Sequence, residues 1–157
     1  MDTKSLLIHT IEASFAGKAW QGPTLTGSLR GVTPRVALFR PARGRECIWE
    51  QVLHAAYWKY IVANTLSGSE AAGLGRSPAN WPAVPEVPDV KAWKKDLALL
   101  RAMHERVIKA VEGLDTNRLD ERPAGKKVRL VQFAAGIAAH DAYHTGQIQL
   151  LKRLAGA

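Results

Sequence analysis

Four stretches of the chain repeat their apolar residues with the period of a helix, and glycine- and proline-rich text separates them. Residues 3–16 place Leu7, Ile11 and Phe15 at four-residue steps behind Thr3, a residue type that caps helix N-termini. Residues 45–67 are apolar-rich, contain no glycine or proline, and stop at Gly68, the residue type that ends helices in the left-handed conformation. Residues 90–114 follow Asp89 as N-cap and set Trp93, Leu97, Leu100, His104, Val107, Val111 and Leu114 at alternating steps of four and three, a buried seam. Residues 128–154 carry Leu130, Phe133, Ile137, His140, His144, Ile148 and Leu151 on one stripe. No strand-like alternation of comparable strength occurs. The pattern predicts an all-α protein, a four-helix bundle with one long crossover loop, as a single domain over residues 1–157.

Two connectors interrupt the helices. Residues 17–44 read as irregular chain that packs back on the body, with a short helix at "TPRVALFR", where a threonine cap precedes a proline at the first helical position. Residues 68–88 hold prolines 78, 82, 85 and 88 around a lone Trp81. A loop of about twenty residues is uncommon in a compact domain unless it has a function, and the tryptophan predicts a packed lid.

Composition narrows the chemistry. At 157 residues the chain can bury a core without disulfides or a structural metal, so a metal here would be functional. Cys47 is the single cysteine, which excludes CxxC motifs and leaves histidines and carboxylates as the material for any metal site. No apolar run approaches the roughly 18 residues of a membrane span, and "MDTKSLLIHT" lacks a signal-peptide core, so a cytoplasmic protein without membrane contact is expected. The formal charge of +8 is spread along the chain with no basic run longer than two, no zinc-finger spacing and no RNP-type aromatic motif. That distribution points away from nucleic acid and toward solvated faces or affinity for an acidic substrate.

Five histidines are present: His9, His54, His104, His140 and His144. His140 and His144 lie four apart, one above the other on a helix face, where two imidazoles can share one ion. An isolated pair of this kind is more readily a packing feature than a metal site. Its place on an apolar stripe counts against that, because two buried imidazoles need partners for four ring nitrogens. His54, among Val52, Ala55, Ala56 and Ile61, is the natural third ligand from another helix. The small residues Ala134, Ala135, Gly136, Ala138 and Ala139, with Gly146, would let that helix approach closely. His104 sits on a buried seam as a further candidate ligand or supporting group, and His9 falls beside its helix's apolar stripe. Cys47 lies about 10.5 Å along the axis from His54, too far to share an ion with it. Glu50, one turn before His54, is placed to orient that imidazole or move a proton, although a carboxylate near a helix N-terminus also has an ordinary reading.

With these residues in place the chain resembles the DinB-like family of metal-dependent proteins, including its bacillithiol and mycothiol S-transferase-like branch. The matching text is "GRECIWEQVLHAAYWKYIV", "RSPANWPAVP" and "AAHDAYHTGQIQLLKRL". The combination of WExxxH upstream with HxxxHxGQ downstream is far more specific than either alone. The resemblance implies a four-helix bundle, commonly a homodimer, with a divalent metal on His54, His140 and His144. Two features stand apart from it: the strong positive charge, and the lack of any feature that identifies a thiol partner.

Three neutral imidazoles leave the ion its full charge and an open position, the arrangement of a catalytic site. The expected function is therefore a divalent-metal-dependent enzyme of the thiol S-transferase or hydrolase type, acting on a small molecule such as a low-molecular-weight thiol. Zn2+ or Ni2+ leads as the metal, with Fe2+ and Mn2+ as alternatives, and Glu50 or Gln147 would assist water or substrate. An HExxH helix is absent, since Asp141 and Ala142 follow His140, and this excludes the zincin type of peptide hydrolysis. The alternative from another class is a metal-binding stress-related or scaffold protein without turnover.

Overall fold

The computed structural model describes residues 1–70 and 73–157, and these are all helix, turn and loop. Residues 71 and 72, part of the expected lid loop, lie outside the described residues. The first helix, α1 (Thr3–Phe15), is capped by Asp2, whose carboxylate accepts the Ser5 N–H at 2.9 Å, one residue ahead of the threonine cap the sequence suggests. The connector forms two single turns, α2 (Leu25–Ser28) and α3 (Pro34–Ala37), capped by the hydroxyls of Thr24 and Thr33. Buried Leu25, Leu29, Val32 and Ala37 fasten the connector to the body. The Trp93 indole N–H adds a bond to the Val32 carbonyl at 3.1 Å.

The second long helix, α4 (Ile48–Ser67), begins three residues later than its apolar pattern suggests, because the Glu50 carboxylate accepts the Cys47 N–H at 2.8 Å and fixes the start there. It ends as expected at Gly68, with φ of 69°. Helix α5 (Val90–Gly113) starts from the Asp89 cap, which accepts from Ala92 N–H at 2.9 Å. After a 3-10 turn at Thr116–Arg118 comes α6 (Leu130–Leu154), opened by Gln132, whose carboxamide oxygen accepts the Arg129 N–H.

Helix α4 packs against α5 and α6, and α1 packs against the same two, so α1 and α4 stand across the bundle from each other. The apolar interior has two parts. One gathers Phe15, Trp49, Leu53, Trp93, Leu100 and Ile148; the other gathers Leu7, Ile11, Leu66, Val107, Leu130 and Ile137. Every long helix places a buried polar residue at the join between them: Ser14 on α1, Lys59 on α4, His104 on α5, and Asp141, His144 and Thr145 on α6.

This band is built around an ion pair. Lys59 Nζ donates to Asp141 Oδ2 at 2.5 Å, and both side chains are fully buried. Burial pushes the Lys59 ammonium down and the Asp141 carboxyl up from their ordinary values, and the charge of each opposes the shift of the other. Lys59 also lies 4.8 Å from the centre of the Phe15 ring, which stacks on His104 at 3.7 Å. Gly136 and Gly146 have no neighbour within 4 Å of where a Cβ would stand, so they do not admit a helix at close range as the sequence suggested. Both are exposed; the small residues of this segment that are buried are Ala134 and Ala138.

Candidate metal centre

His54 stands about two turns into α4, while His140 and His144 stand one turn apart on the α6 face toward it. Nitrogen atoms of the three rings lie within 4.8 Å of one another, the one group of three potential metal-binding side chains found among the described residues. Ring centres are 4.3 Å apart for His140 and His144, 5.0 Å for His54 and His144, and 5.2 Å for His54 and His140.

The hydrogen bonds assign the ring protons. The Nδ1 of His54 lies 2.8 Å from the Asn80 carbonyl, an acceptor only, so it carries the hydrogen and leaves Nε2 as a lone pair. The Nδ1 of His144 meets the Gln51 carboxamide oxygen, with the same consequence for its Nε2. That Nε2 is 3.1 Å from the Nε2 of His140. Burial first, and then the neighbouring imidazoles, push His140 down to about 4 and His144 down to about 3, so both rings are neutral near pH 7; the His140 Nδ1 has no partner, and its Nε2–H can donate to the His144 Nε2. Burial also lowers His54. Two Nε2 lone pairs fixed from behind, with a third neutral imidazole whose tautomer is free to turn its own lone pair to them, suit a divalent ion, and the all-nitrogen donor set suits one of the first transition row.

The orienting groups are not those the sequence picked out. Glu50 does not reach His54: both its oxygens are held at 2.7 Å by the Arg40 guanidinium, and one also caps α4. Although burial alone would raise its pKa, the Arg40 and Cys47 bonds outweigh that and hold the carboxyl below its ordinary value. Its spacing from His54 is helical and correct, but the arginine and the helix start claim the carboxylate. Gln51, three residues before His54, does the orienting instead. A glutamine one helical turn from one ligand gives no signal that it serves another on a different helix, and the Asn80 carbonyl, a backbone atom, leaves no trace in sequence at all.

His104 is no ligand. It lies under Phe15 with Nδ1 3.4 Å from Lys59 Nζ, and burial, with the Lys59 charge beside it, pushes it down to about 3. His9 is exposed on α1. The Cys47 thiol is buried at the start of α4 and pushed up to about 11, which makes it a poor nucleophile.

The lid forms as expected. Tyr60 Oη accepts the Gly73 N–H at 2.6 Å, Arg76 pairs with buried Asp96, and Asn80 binds His54. These anchors lay the Trp81 indole on the His54 ring at 3.8 Å and 10°. Above the histidines opens a cavity of about 560 Å³, walled by Trp58, Trp81 and Tyr143, with Gln51, Gln147, Asn80 and Glu46 as its further polar residues.

No curated protein and no solved structure matched the chain in searches against them. The family model of the DinB superfamily matches residues 20–148, a span that holds the lid and all three histidines. With the all-helical fold and the three-imidazole cluster already in view, that match settles the family: the chain belongs to the DinB superfamily.

Proposed function

We propose that the protein is a divalent-metal-dependent enzyme acting on a small molecule by a thiol S-transferase or hydrolase-type reaction. The observation that carries this is the open cavity directly above three converging imidazoles: a structural metal site is closed by four protein ligands, whereas this one leaves space beside three. His54, His140 and His144 would hold the ion, Zn2+ or Ni2+ by preference, and it would supply Lewis acidity toward a thiol or water. Gln51 and the Asn80 carbonyl fix the rings with Nε2 forward. Trp81 covers one side of His54 and excludes water from it. Gln147 lines the same cavity, and its carboxamide, without a side-chain partner among the described residues, can bond a bound substrate, while Glu50 stays with Arg40 as a structural group.

Incubation of metal-loaded protein with a panel of low-molecular-weight thiols and electrophiles, with and without chelator, tests the reading. Product formation that the chelator abolishes, and that His140→Ala lacks, is expected. Stoichiometric metal with no turnover on any pair would favour a non-catalytic metal-binding protein.

A further inference from the structure

The chain carries a formal charge of +8, yet no lysine or arginine lines the cavity above the histidines among the described residues. Two nearby cations are each held by a carboxylate elsewhere. Arg40 is held by both oxygens of Glu50, and Lys59, whose charge reaches His140, is paired with Asp141. The one formally charged side chain on the cavity wall is Glu46, two residues before α4. Its carboxylate enters no ion pair or side-chain hydrogen bond among the described residues, and it is exposed, which places it at the mouth, while His54 and His144 are buried at the base. The same wall carries Trp58, Trp81 and Tyr143, which pack against the histidines, Trp81 face to face with His54 and the other two edge-on.

Such a pocket has opposite polarities at its ends. The base, where a divalent ion would sit on neutral ligands, favours an anionic donor such as a thiolate. The mouth, with a free carboxylate and electron-rich aromatic faces, favours a cation. We propose that the substrate of this site is a small molecule with an apolar or aromatic body whose outer end is an ammonium or guanidinium group, and that Glu46 is the residue that sets this preference. The proposal rests on the metal-site reading for the inner end alone. It reverses the expectation that the basic surface serves an acidic substrate: the neighbouring arginines, Arg40 and Arg45, do not line the cavity.

The test compares 4-(aminomethyl)benzenethiol with 4-mercaptobenzoate, whose para groups point away from the sulfur and cannot chelate the same ion. Binding to cobalt-loaded protein is read from the visible cobalt spectrum, in native protein and in Glu46→Gln and Glu46→Lys. An exposed ion pair with a contribution from aromatic faces corresponds to a preference on the order of fivefold to tenfold for the ammonium probe beyond the probes' intrinsic difference. Glu46→Gln should remove about three- to fivefold of the ratio, and Glu46→Lys should invert it. A ratio unchanged across the three proteins would overturn the proposal. Benzylammonium and benzoate, titrated against metal-free protein by tryptophan fluorescence, give the same comparison without an ion. Failure to bind cobalt would therefore sink the metal reading while the Glu46 preference is still decided.

Discussion

Replacing Gln51 by leucine isolates the hydrogen bond that prepares His144. The Gln51 side chain is 5% exposed and His144 is 2% exposed, so neither loses its partner to water. Leucine is close in size to glutamine and keeps the helix, but it leaves the Nδ1–H of His144 buried without an acceptor. An orphaned buried donor costs about 1–3 kcal/mol. In the metal-bound state the cost is larger, because the ion increases the acidity of that N–H and so the value of its acceptor. Loss of such a supporting bond typically lowers metal affinity by about 10- to 100-fold. The assay is competition for Zn2+ against a chromophoric chelator at pH 7.5, comparing native protein, Gln51→Leu and Glu50→Gln. Gln51→Leu should weaken zinc by about 10-fold or more. Glu50→Gln should change zinc affinity little, since its carboxylate serves Arg40 and the α4 cap, and should instead lower stability by about 1 kcal/mol. Equal zinc affinities for native protein and Gln51→Leu would refute the orienting role, and a larger loss in Glu50→Gln would restore the carboxylate to the site.

Further outcomes follow from the polar band. Lys59→Met leaves the Asp141 carboxylate buried without its ion-pair partner and should lower stability by about 3–5 kcal/mol in urea unfolding, whereas Lys59→Met with Asp141→Leu should recover most of it; a loss under about 1 kcal/mol in the single variant would contradict the pairing. Metal-free protein should be sensitive to acid. His104, His140 and His144 have folded values of about 3 to 4, below the 6.5 of an unfolded histidine, so the unfolded chain binds more protons between these limits. Stability should be flat just above about pH 6.5 and fall as pH drops toward 4, by about 1.4 kcal/mol per unit for each group fully in that window. Thermal melts of chelator-treated protein check this, and His104→Phe should show a shallower fall.

The helices and the histidine triad were legible because each depends on short-range spacing. The α5 seam reappears except at Leu97, which is half-buried while Asp96 turns inward; the Asp89 cap and Gly68 stand as expected, and His140 and His144 share a face because a helix imposes it. What escaped depends on atoms that meet only after folding. The lysine and aspartate of the central pair are far apart in sequence, and each alone reads as a solvated surface charge. Glu50 kept the right helical phase, but phase says nothing of Arg40 arriving from the connector. Gly136 and Gly146 suggested a close helix crossing, yet the side of α6 that packs inward carries Ala134, Ile137, Ala138 and Asp141 instead. The turn at Leu25–Ser28 is too short to carry a period of its own.

Metal content tests the central claim most directly. Protein saturated with Zn2+, freed of loosely held ion and assayed for zinc by elemental analysis should retain one equivalent per chain. His54→Ala, His140→Ala and His144→Ala should each lose it while keeping native helical content by circular dichroism. Folded native protein without stoichiometric metal, or full retention in any of the three variants, would contradict the assignment of these imidazoles as one metal centre.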